Sequence, residues 1–192
     1  MGNNITGDIG SRLLLYSTSQ LSAVVETMAR RIYGILGGCT KVAIVGVLRR
    51  GAPLADMLTE LLVQQHGMGR PLRIDFSVKR YADDLTLLYP ETRIEEPHEL
   101  ASVDLSGYHV LIVDDVIHGG YSLLRVVEAL TKKMPAKIRV ACLVDRGISA
   151  LPIRSDVTGL VLQIASQDLI EVHVPPYEPV FQCVLNKRPN GS

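Results

Sequence analysis

Continuous apolar runs alternate with amphipathic stretches along most of the chain. The runs that are almost entirely apolar and of strand length are 41–48, 109–113 and 137–144. Such runs are typical of parallel strands that are covered on both faces. The stretches with apolar residues at helical spacing are 17–38, 52–65 and 120–133. Strands that alternate with helices predict an α/β fold with a doubly wound, mainly parallel sheet.

Two regions depart from this alternation. After a predicted strand at 72–81, residues 82 to about 106 are polar and acidic and lack apolar periodicity, which indicates a functional or disordered loop. Residues 150–186 contain short β-like runs separated by polar and proline-rich turns. We therefore predict a single domain over residues 15–186, preceded by a leader at 1–14.

Composition narrows the class of protein. The chain has 192 residues, of which 47% are hydrophobic, enough for the core of one domain. Basic and acidic residues are equal at 20 each, so no global basic field argues for nucleic acid or an anionic membrane, although a local basic face stays compatible. Three widely spaced cysteines are typical of reduced thiols in a cytoplasmic protein. No apolar run approaches the ~18 residues that a membrane-spanning helix needs.

Polar residues follow three of the predicted strands. These groups are Arg49-Arg50-Gly51, Asp114-Asp115 and Asp145-Arg146-Gly147. Ligands of parallel α/β sheets bind beyond the carboxyl ends of the strands. We therefore expect the three groups to converge on one crevice.

The stretch VLIVDDVIHGGYS (110–122) carries the most specific chemistry. Gly119 and Gly120 open a predicted helix, so exposed amide groups there would bind a phosphate. The adjacent acidic pair can accept hydrogen bonds from the vicinal hydroxyls of a ribose, and the arginine pair can hold a second anion such as a diphosphate. The acidic pair would also fit a phosphorelay receiver domain, but too little chain follows it. The arginines could alternatively form a solvated charge pair.

VLIVDDVIHGGYS resembles the phosphoribosyl-diphosphate motif of type I phosphoribosyltransferases. Three further segments resemble one branch, the bifunctional pyrimidine operon regulator/uracil phosphoribosyltransferases. They are VGVLRRG (45–51), YADDLT (81–86) and LVDRGISALPIRSDVTG (143–159). The resemblance covers roughly residues 15 to 175, and the last segment selects the branch.

The resemblance implies two loops on either side of an acidic pair. Its catalytic candidates are Asp114, Asp115 and His118, of which the two carboxylates would bind the ribose hydroxyls. The implied 5′-phosphate loop consists of His118, Gly119, Gly120, Tyr121 and Ser122. The implied diphosphate loop consists of Leu48, Arg49, Arg50 and Gly51. The family often has a cis peptide bond between the positions that match Leu48 and Arg49.

Two more segments and a cofactor complete the implied site. A flap at 82 to about 106 would close over the reaction and exclude water, with contributions from Arg80, Tyr81 and Asp83. A small β-rich C-terminal hood, largely 150–186, would hold the base mainly through backbone groups of Gln163, Ile164, Ala165 and Ser166. Mg²⁺ would be carried by the diphosphate, the ribose hydroxyls and water, with no direct protein ligand.

The implied activity is transfer of ribose 5-phosphate from phosphoribosyl diphosphate to a nucleobase, uracil in this branch, by a homodimer or tetramer. A base nitrogen attacks C1′ and diphosphate leaves, so the protein positions the reactants and supplies no covalent nucleophile. Two alternatives stay open. One is a regulator that senses pyrimidine nucleotides and binds RNA with little catalysis. The other is a purine enzyme that uses hypoxanthine, guanine or xanthine.

Five positions depart from the patterns of the resembling families. His118 stands where the pyrimidine branch usually has Tyr and many purine enzymes have an acid. Gly119 replaces a usual Thr, Tyr121 replaces Arg or Lys, and Ala82 replaces Arg. Asp145 stands where 6-oxopurine enzymes carry a Lys that recognises the purine oxygen. An acid there cannot donate to that oxygen, so we predict a pyrimidine substrate.

Overall fold

The order of strands and helices follows the alternation predicted from the sequence. The computed structural model describes residues 11–79, 93–95 and 103–188. In chain order the elements are β1 (Arg12–Tyr16), α1 (Thr18–Leu36), β2 (Val42–Leu48), α2 (Gly51–His66), β3 (Leu72–Lys79), β4 (Arg93–Glu95), β5 (His109–Ile117), α3 (Tyr121–Thr131), β6 (Lys137–Asp145), β7 (Val157–Val161), β8 (Leu169–His173) and β9 (Gln182–Asn186).

The central sheet has six strands in the order β4-β3-β2-β5-β6-β7. The pairs β3–β2, β2–β5, β5–β6 and β6–β7 are parallel, and β4 pairs antiparallel with β3 at one edge. The predicted mainly parallel α/β sheet is therefore confirmed. Most of the predicted flap, including Arg80, Tyr81 and Asp83, lies outside the described residues.

Both faces of this sheet are covered, as the continuous apolar runs predicted. Along β2, Val42 and Ile44 belong to a core that includes α1 and α2, whereas Ala43, Val45 and Val47 belong to a core with α3. Side chains of a strand alternate between its faces, so an apolar residue at every position means that each face meets a helix layer.

The first helix shows why the local pattern was readable. The backbone N–H of Ser17 donates to Oε1 of Gln20 over 2.9 Å, one half of a capping box. The large side chains that α1 buries almost completely are Leu21, Val25, Met28, Ile32 and Leu36, three to four positions apart. Gly37 caps the carboxyl end of the helix. Within the described part of the chain, no helix is long and apolar enough to cross a membrane.

The hood differs from the prediction in two respects. It is a three-stranded antiparallel sheet in the order β1-β9-β8. β1, which pairs with β9 from Arg12 opposite Asn186, thus belongs to the hood. We had placed β1 in the leader and at the start of the domain. β7 lies inside the predicted hood range but pairs in parallel with β6 in the central sheet. Both differences depend on which strand each segment pairs with, and short β-like runs do not specify that choice.

Candidate active site

Three neighbouring strands bring the polar strand ends together. β5 pairs in parallel with β2 on one side and with β6 on the other. The polar groups that follow these strands therefore lie together at the carboxyl ends of the strands. A Cβ on Gly51 would lie 2.6 Å from the carbonyl oxygen of Val113 and 3.1 Å from the Cα of Asp114. Only glycine permits this approach, which holds residues 48–51, the arginine loop, against the acidic pair. The Leu48–Arg49 peptide bond is cis, as the resemblance implied.

The acidic pair lies within β5, whereas the predicted strand stopped at Val113. β5 continues to Ile117, whose partner on β6 is Asp145. Asp114 is only 8% exposed, and its Oδ1 accepts a hydrogen bond from the backbone N–H of Asp115 over 2.9 Å. The strand can carry both carboxylates because its ladder satisfies the backbone while the side chains meet at the sheet edge.

Burial controls the ionisation of this pair. Desolvation raises the pKa of Asp114 well above its usual value, and the neighbouring charge of Asp115 raises it further. Desolvation also raises the pKa of Asp115, although its hydrogen bond to Asp114 and the charge of Arg50 oppose the shift. Two close, desolvated carboxylates favour a ligand that donates hydrogen bonds or brings a cation.

The glycine loop, residues 118–122, lines a cavity together with Asp114. The cavity has a volume of about 530 Å³. All five predicted 5′-phosphate residues line it, together with Asp114, Leu169 and Arg188. Gly120 caps the start of α3 with a left-handed backbone (φ 82°), and a Cβ there would lie 2.8 Å from Oγ of Ser149. The loop therefore presents backbone groups at a helix start, an arrangement that suits an anion.

The arginine loop contacts the hood through two residues that sequence reasoning missed. Arg50 donates from Nε and Nη2 to Oε1 of Glu178, over 3.0 and 2.6 Å. The backbone N–H of Val174 donates to the other oxygen of Glu178 over 2.9 Å. The guanidinium of Arg49 lies 5.3 Å from the ring centroid of Tyr177. No local pattern marks Tyr177 or Glu178 as partners of a loop that lies so far away in sequence.

These contacts change the pKa of both ionised groups. Burial alone would raise the pKa of Glu178, but the hydrogen bonds from Arg50 and Val174 outweigh it and lower that pKa. Burial would lower the pKa of Arg50, yet Glu178 and the charge of Asp115 raise it. Arg50 is therefore a fixed cation between the hood and the acidic pair.

The strand end after β6 contributes a buried arginine rather than the acid on which the base prediction rested. Oδ1 of Asp145 accepts from the backbone N–H of Gly147 over 2.7 Å, so this carboxylate stabilises a turn. Arg146 is only 6% exposed, and its Nη1 lies 3.2 Å from Nδ1 of His118. Partial desolvation and the nearby charge of Arg146 lower the pKa of His118 to about 4, although the residue as a whole is exposed. His118 is therefore neutral at pH 7.

The predicted base-binding segment 163–166 lies just outside the cavity. It follows β7 and does not belong to the cavity lining, which instead includes Leu169 of β8 and Arg188, just after β9. The carbonyl of Ala165 accepts from Nη2 of Arg146 over 3.4 Å, and a Cβ on Gly147 would lie 3.3 Å from Nε2 of Gln163, so both residues link the segment to the site. Among the described residues, no three His, Cys, Asp or Glu side chains are grouped so that they could hold a metal ion.

Comparison with known proteins decides the family. Residues 15–179 match the model described as "Phosphoribosyl transferase domain". The chain belongs to the phosphoribosyltransferase family. The predicted superfamily and the predicted class of pentosyl-transferring enzyme are therefore confirmed.

Relatives within the phosphoribosyltransferase family point to one branch. The "Bifunctional protein PyrR" of Listeria welshimeri is 32% identical over 85% of this chain and 92% of that protein. The protein of the same name from Chloroflexus aurantiacus is 28% identical over 92% of this chain and 96% of its own length. The chain therefore belongs to the PyrR branch of the phosphoribosyltransferases, as its motifs predicted.

Solved phosphoribosyltransferase structures share the fold. The hypoxanthine phosphoribosyltransferase of Trypanosoma cruzi, in complex with the product IMP, superimposes with a TM-score of 0.70 over 95% of this chain and 92% of that one. The two sequences are only 15% identical, so this likeness establishes the fold and leaves the base open.

Proposed function

We propose that this phosphoribosyltransferase transfers ribose 5-phosphate from phosphoribosyl diphosphate to uracil or a related pyrimidine, releasing diphosphate. One observation carries the proposal. The buried Asp114 lines the cavity of the glycine loop and also contacts the arginine loop at Gly51. A ligand bound there would meet anion-binding groups at both ends and hydroxyl acceptors in the middle, which matches phosphoribosyl diphosphate.

Each part of the cosubstrate has a proposed partner. The 5′-phosphate binds the backbone of the glycine loop at the start of α3, where the helix dipole adds to the amide donors. The ribose hydroxyls donate to Asp114 and Asp115. The diphosphate binds the arginine loop, where Arg50 supplies a cation that lies close enough to Asp115 to affect its pKa.

The reaction needs positioning and charge stabilisation rather than a protein nucleophile. A nitrogen of the base forms a bond to C1′ while the bond from C1′ to the diphosphate oxygen breaks. Arg49 and Arg50 would stabilise the charge on the departing diphosphate. Holding base and sugar in one cavity removes the entropic cost of a bimolecular encounter.

The donor set also fits Mg²⁺. Asp114 and Asp115 are hard oxygen donors, and burial raises the pKa of both carboxyl groups. The ion would be carried by ribose and diphosphate oxygens and water, and the two carboxylates would hold it through those groups. The bound ion would add positive charge at the leaving group.

The preference for a pyrimidine rests on the segment 143–159 and on the PyrR relatives. Steady-state kinetics with phosphoribosyl diphosphate and Mg²⁺ test it, with diphosphate release as the signal. We expect kcat/KM for uracil to exceed the values for hypoxanthine, guanine and xanthine. A higher value for any of these purines would overturn the base assignment but not the cosubstrate assignment.

A regulatory role in RNA binding is the second candidate. Lys41, Lys132 and Lys137 are exposed at or near the amino ends of the strands, opposite the active site. Val42, His109 and Lys137 are in register across β2, β5 and β6, so two of these lysines share one sheet edge. A local basic face of this kind supports contacts with phosphates.

Titration of single-stranded and hairpin RNA at several salt concentrations tests this role. We expect the K41Q/K132Q/K137Q variant to lose affinity and to show a shallower salt dependence while diphosphate release is retained. Equal binding by this variant and the unmodified protein would remove the basic edge from consideration.

A further inference from the structure

We propose that Arg188, which follows β9, binds the 5′-phosphate of the cosubstrate and supplies the cationic side chain that the glycine loop lacks. The inference rests on the proposed function, because it assumes that a phosphate binds at the glycine loop. It goes further by adding a partner from outside that loop and by joining the hood to the phosphate end of the ligand.

The cavity of the glycine loop is short of positive charge. Arg188 is the only lysine or arginine among the described residues that line it, and Asp114 lines it as well. A phosphate monoester carries a charge of about −1.5 to −2 at pH 7. The dipole of a helix offers it only about half an elementary charge. A cationic side chain at the cavity wall therefore adds to the binding of a phosphate.

The backbone that carries Arg188 is fixed to both neighbours of β9. The backbone N–H of Lys187 donates to the carbonyl oxygen of Ser11, the residue before β1, over 3.0 Å. The backbone N–H of Arg188 donates to Oδ1 of Asp168, the residue before β8, over 3.2 Å. Because β9 lies between β1 and β8 in the hood sheet, the segment after it is held from both sides. The side chain of Arg188 therefore starts from a fixed position beside the cavity.

The guanidinium of Arg188 is available to a ligand. The residue is exposed, and within the part of the chain that the structure describes its side chain takes part in no hydrogen bond or ion pair. Arg50, in contrast, already donates to Glu178, and Arg146 donates to two backbone carbonyls. A phosphate can therefore bind Arg188 without displacing a partner among the described residues.

The two sides of the cavity offer a phosphate different donors. The glycine loop offers backbone N–H groups at the start of α3. Arg188 offers a planar guanidinium, which can donate two parallel hydrogen bonds to phosphate oxygens. Both can bind the same phosphate, because it has three terminal oxygens to accept from them. The bound phosphate then connects the glycine loop with the hood.

Calorimetry with phosphoribosyl diphosphate and Mg²⁺ tests this contact in R188Q. We expect roughly 5- to 20-fold weaker binding, the lower part of the range for hydrogen bonds to charged groups, because the side chain is exposed. R188K should lose less, since an ammonium keeps the charge but not the planar fork.

K187Q is the matched control for this measurement. It removes the same charge from the adjacent residue, which is also exposed but does not line the cavity. Its affinity should stay within about twofold of the unmodified protein, because a surface charge without a direct contact contributes little.

Two further measurements locate the contact at the 5′-phosphate. Inorganic diphosphate lacks that group, so R188Q should bind it as tightly as the unmodified protein does. In steady-state kinetics, R188Q should raise KM for phosphoribosyl diphosphate far more than it lowers kcat. The 5′-phosphate lies away from the bonds that form and break, so its contact has the same strength in the ground state and in the transition state.

Three results would overturn the role of Arg188. One is an unchanged affinity for phosphoribosyl diphosphate in R188Q. Another is an equal loss in K187Q and R188Q, which would indicate a general effect of surface charge. The third is an equal loss of affinity for inorganic diphosphate in R188Q, which would mean that Arg188 does not act at the 5′-phosphate.

These outcomes are distinct from a failure of the proposed function. If the unmodified protein binds phosphoribosyl diphosphate and turns over a base while R188Q behaves like K187Q, only the role of Arg188 is wrong. If the unmodified protein binds no phosphoribosyl diphosphate, the proposed function fails, and the role of Arg188 fails with it.

Discussion

The arginine loop and the glycine loop flank the same acidic pair but offer an anion opposite kinds of partner. The arginine loop carries two cationic side chains, and the structure already engages them with Tyr177 and Glu178 of the hood. The glycine loop has no cationic side chain and opens into a cavity with its backbone at the start of α3. The arginine side chains must leave their hood partners when an anion binds. The backbone of the glycine loop is already exposed to the cavity and needs no such exchange.

This difference predicts where each loop is vulnerable. Charge substitutions in the hood should change the anion affinity of the arginine loop, because hood residues contact both of its arginines. The glycine loop should respond to changes in backbone freedom instead. The acidic pair serves both loops, so its removal should have the largest effect.

Replacing both carboxylates in D114N/D115N should weaken binding of phosphoribosyl diphosphate by about 3 kcal/mol or more, since hydrogen bonds to charged groups contribute roughly 1.5–3 kcal/mol each. Calorimetry with Mg²⁺ measures the affinity. E128Q, at an exposed ion pair on α3, is the matched control and should bind normally. Unchanged affinity in the double variant would mean that the two loops do not share a ligand.

G120A should selectively damage the glycine loop. A non-glycine residue in the left-handed conformation costs about 1–2 kcal/mol, and the added Cβ would also meet Ser149. We expect roughly tenfold weaker binding of a nucleoside monophosphate, which has a 5′-phosphate and no diphosphate. G119A is the control, because its Cβ would meet only the ring of the exposed Tyr121. Equal losses in the two variants would show that backbone conformation is not what the loop supplies.

E178Q should release the arginine loop from its counter-charge. Arg50 then keeps its positive charge but has no carboxylate partner, so we expect inorganic diphosphate to bind a few-fold more tightly. The effect should be about 1 kcal/mol or less, as for a partly exposed ion pair. Binding of a nucleoside monophosphate at the glycine loop should not change. Weaker diphosphate binding would mean instead that Glu178 positions Arg50 for the ligand.

The two regions should also respond to acid in different pH ranges. His118 has a pKa of about 4 in the folded protein against an ordinary 6.5, so its contribution to stability is complete above pH 6.5 and declines as pH falls toward 4. Glu178 has a pKa lowered from 4.5, so its contribution is complete above pH 4.5 and is lost below it. Denaturant unfolding at several pH values measures both effects.

Variants assign these two ranges. H118Q should flatten the decline between pH 6.5 and 4, and E178Q should flatten the decline below pH 4.5. Each variant is compared with the unmodified protein at the same pH, which cancels the opposite contribution of the raised pKa values in the acidic pair. If H118Q follows the unmodified curve throughout, then His118 does not lose protonation on folding.

The sequence by itself determined the parallel sheet, the helices on both faces and the segments that meet at the strand ends. These features depend on neighbours in the chain. One short segment of sequence is enough to predict each of them. Examples are the apolar run of β2, the helical spacing of α1 and the continuous stretch from Asp114 to Ser122. A contiguous motif also brings its chemistry into one loop without help from distant residues.

Only the tertiary structure decided which residues complete the site. Arg50 and Glu178 are 128 positions apart, and Arg146 and His118 are 28 apart. The pairing of β1 with β9 joins the two ends of the described chain, and β7 joins the central sheet although its pattern resembles the hood strands that follow. Hydrophobic periodicity predicts that a residue is buried. It does not predict which element the residue packs against, because that depends on how all the layers pack together.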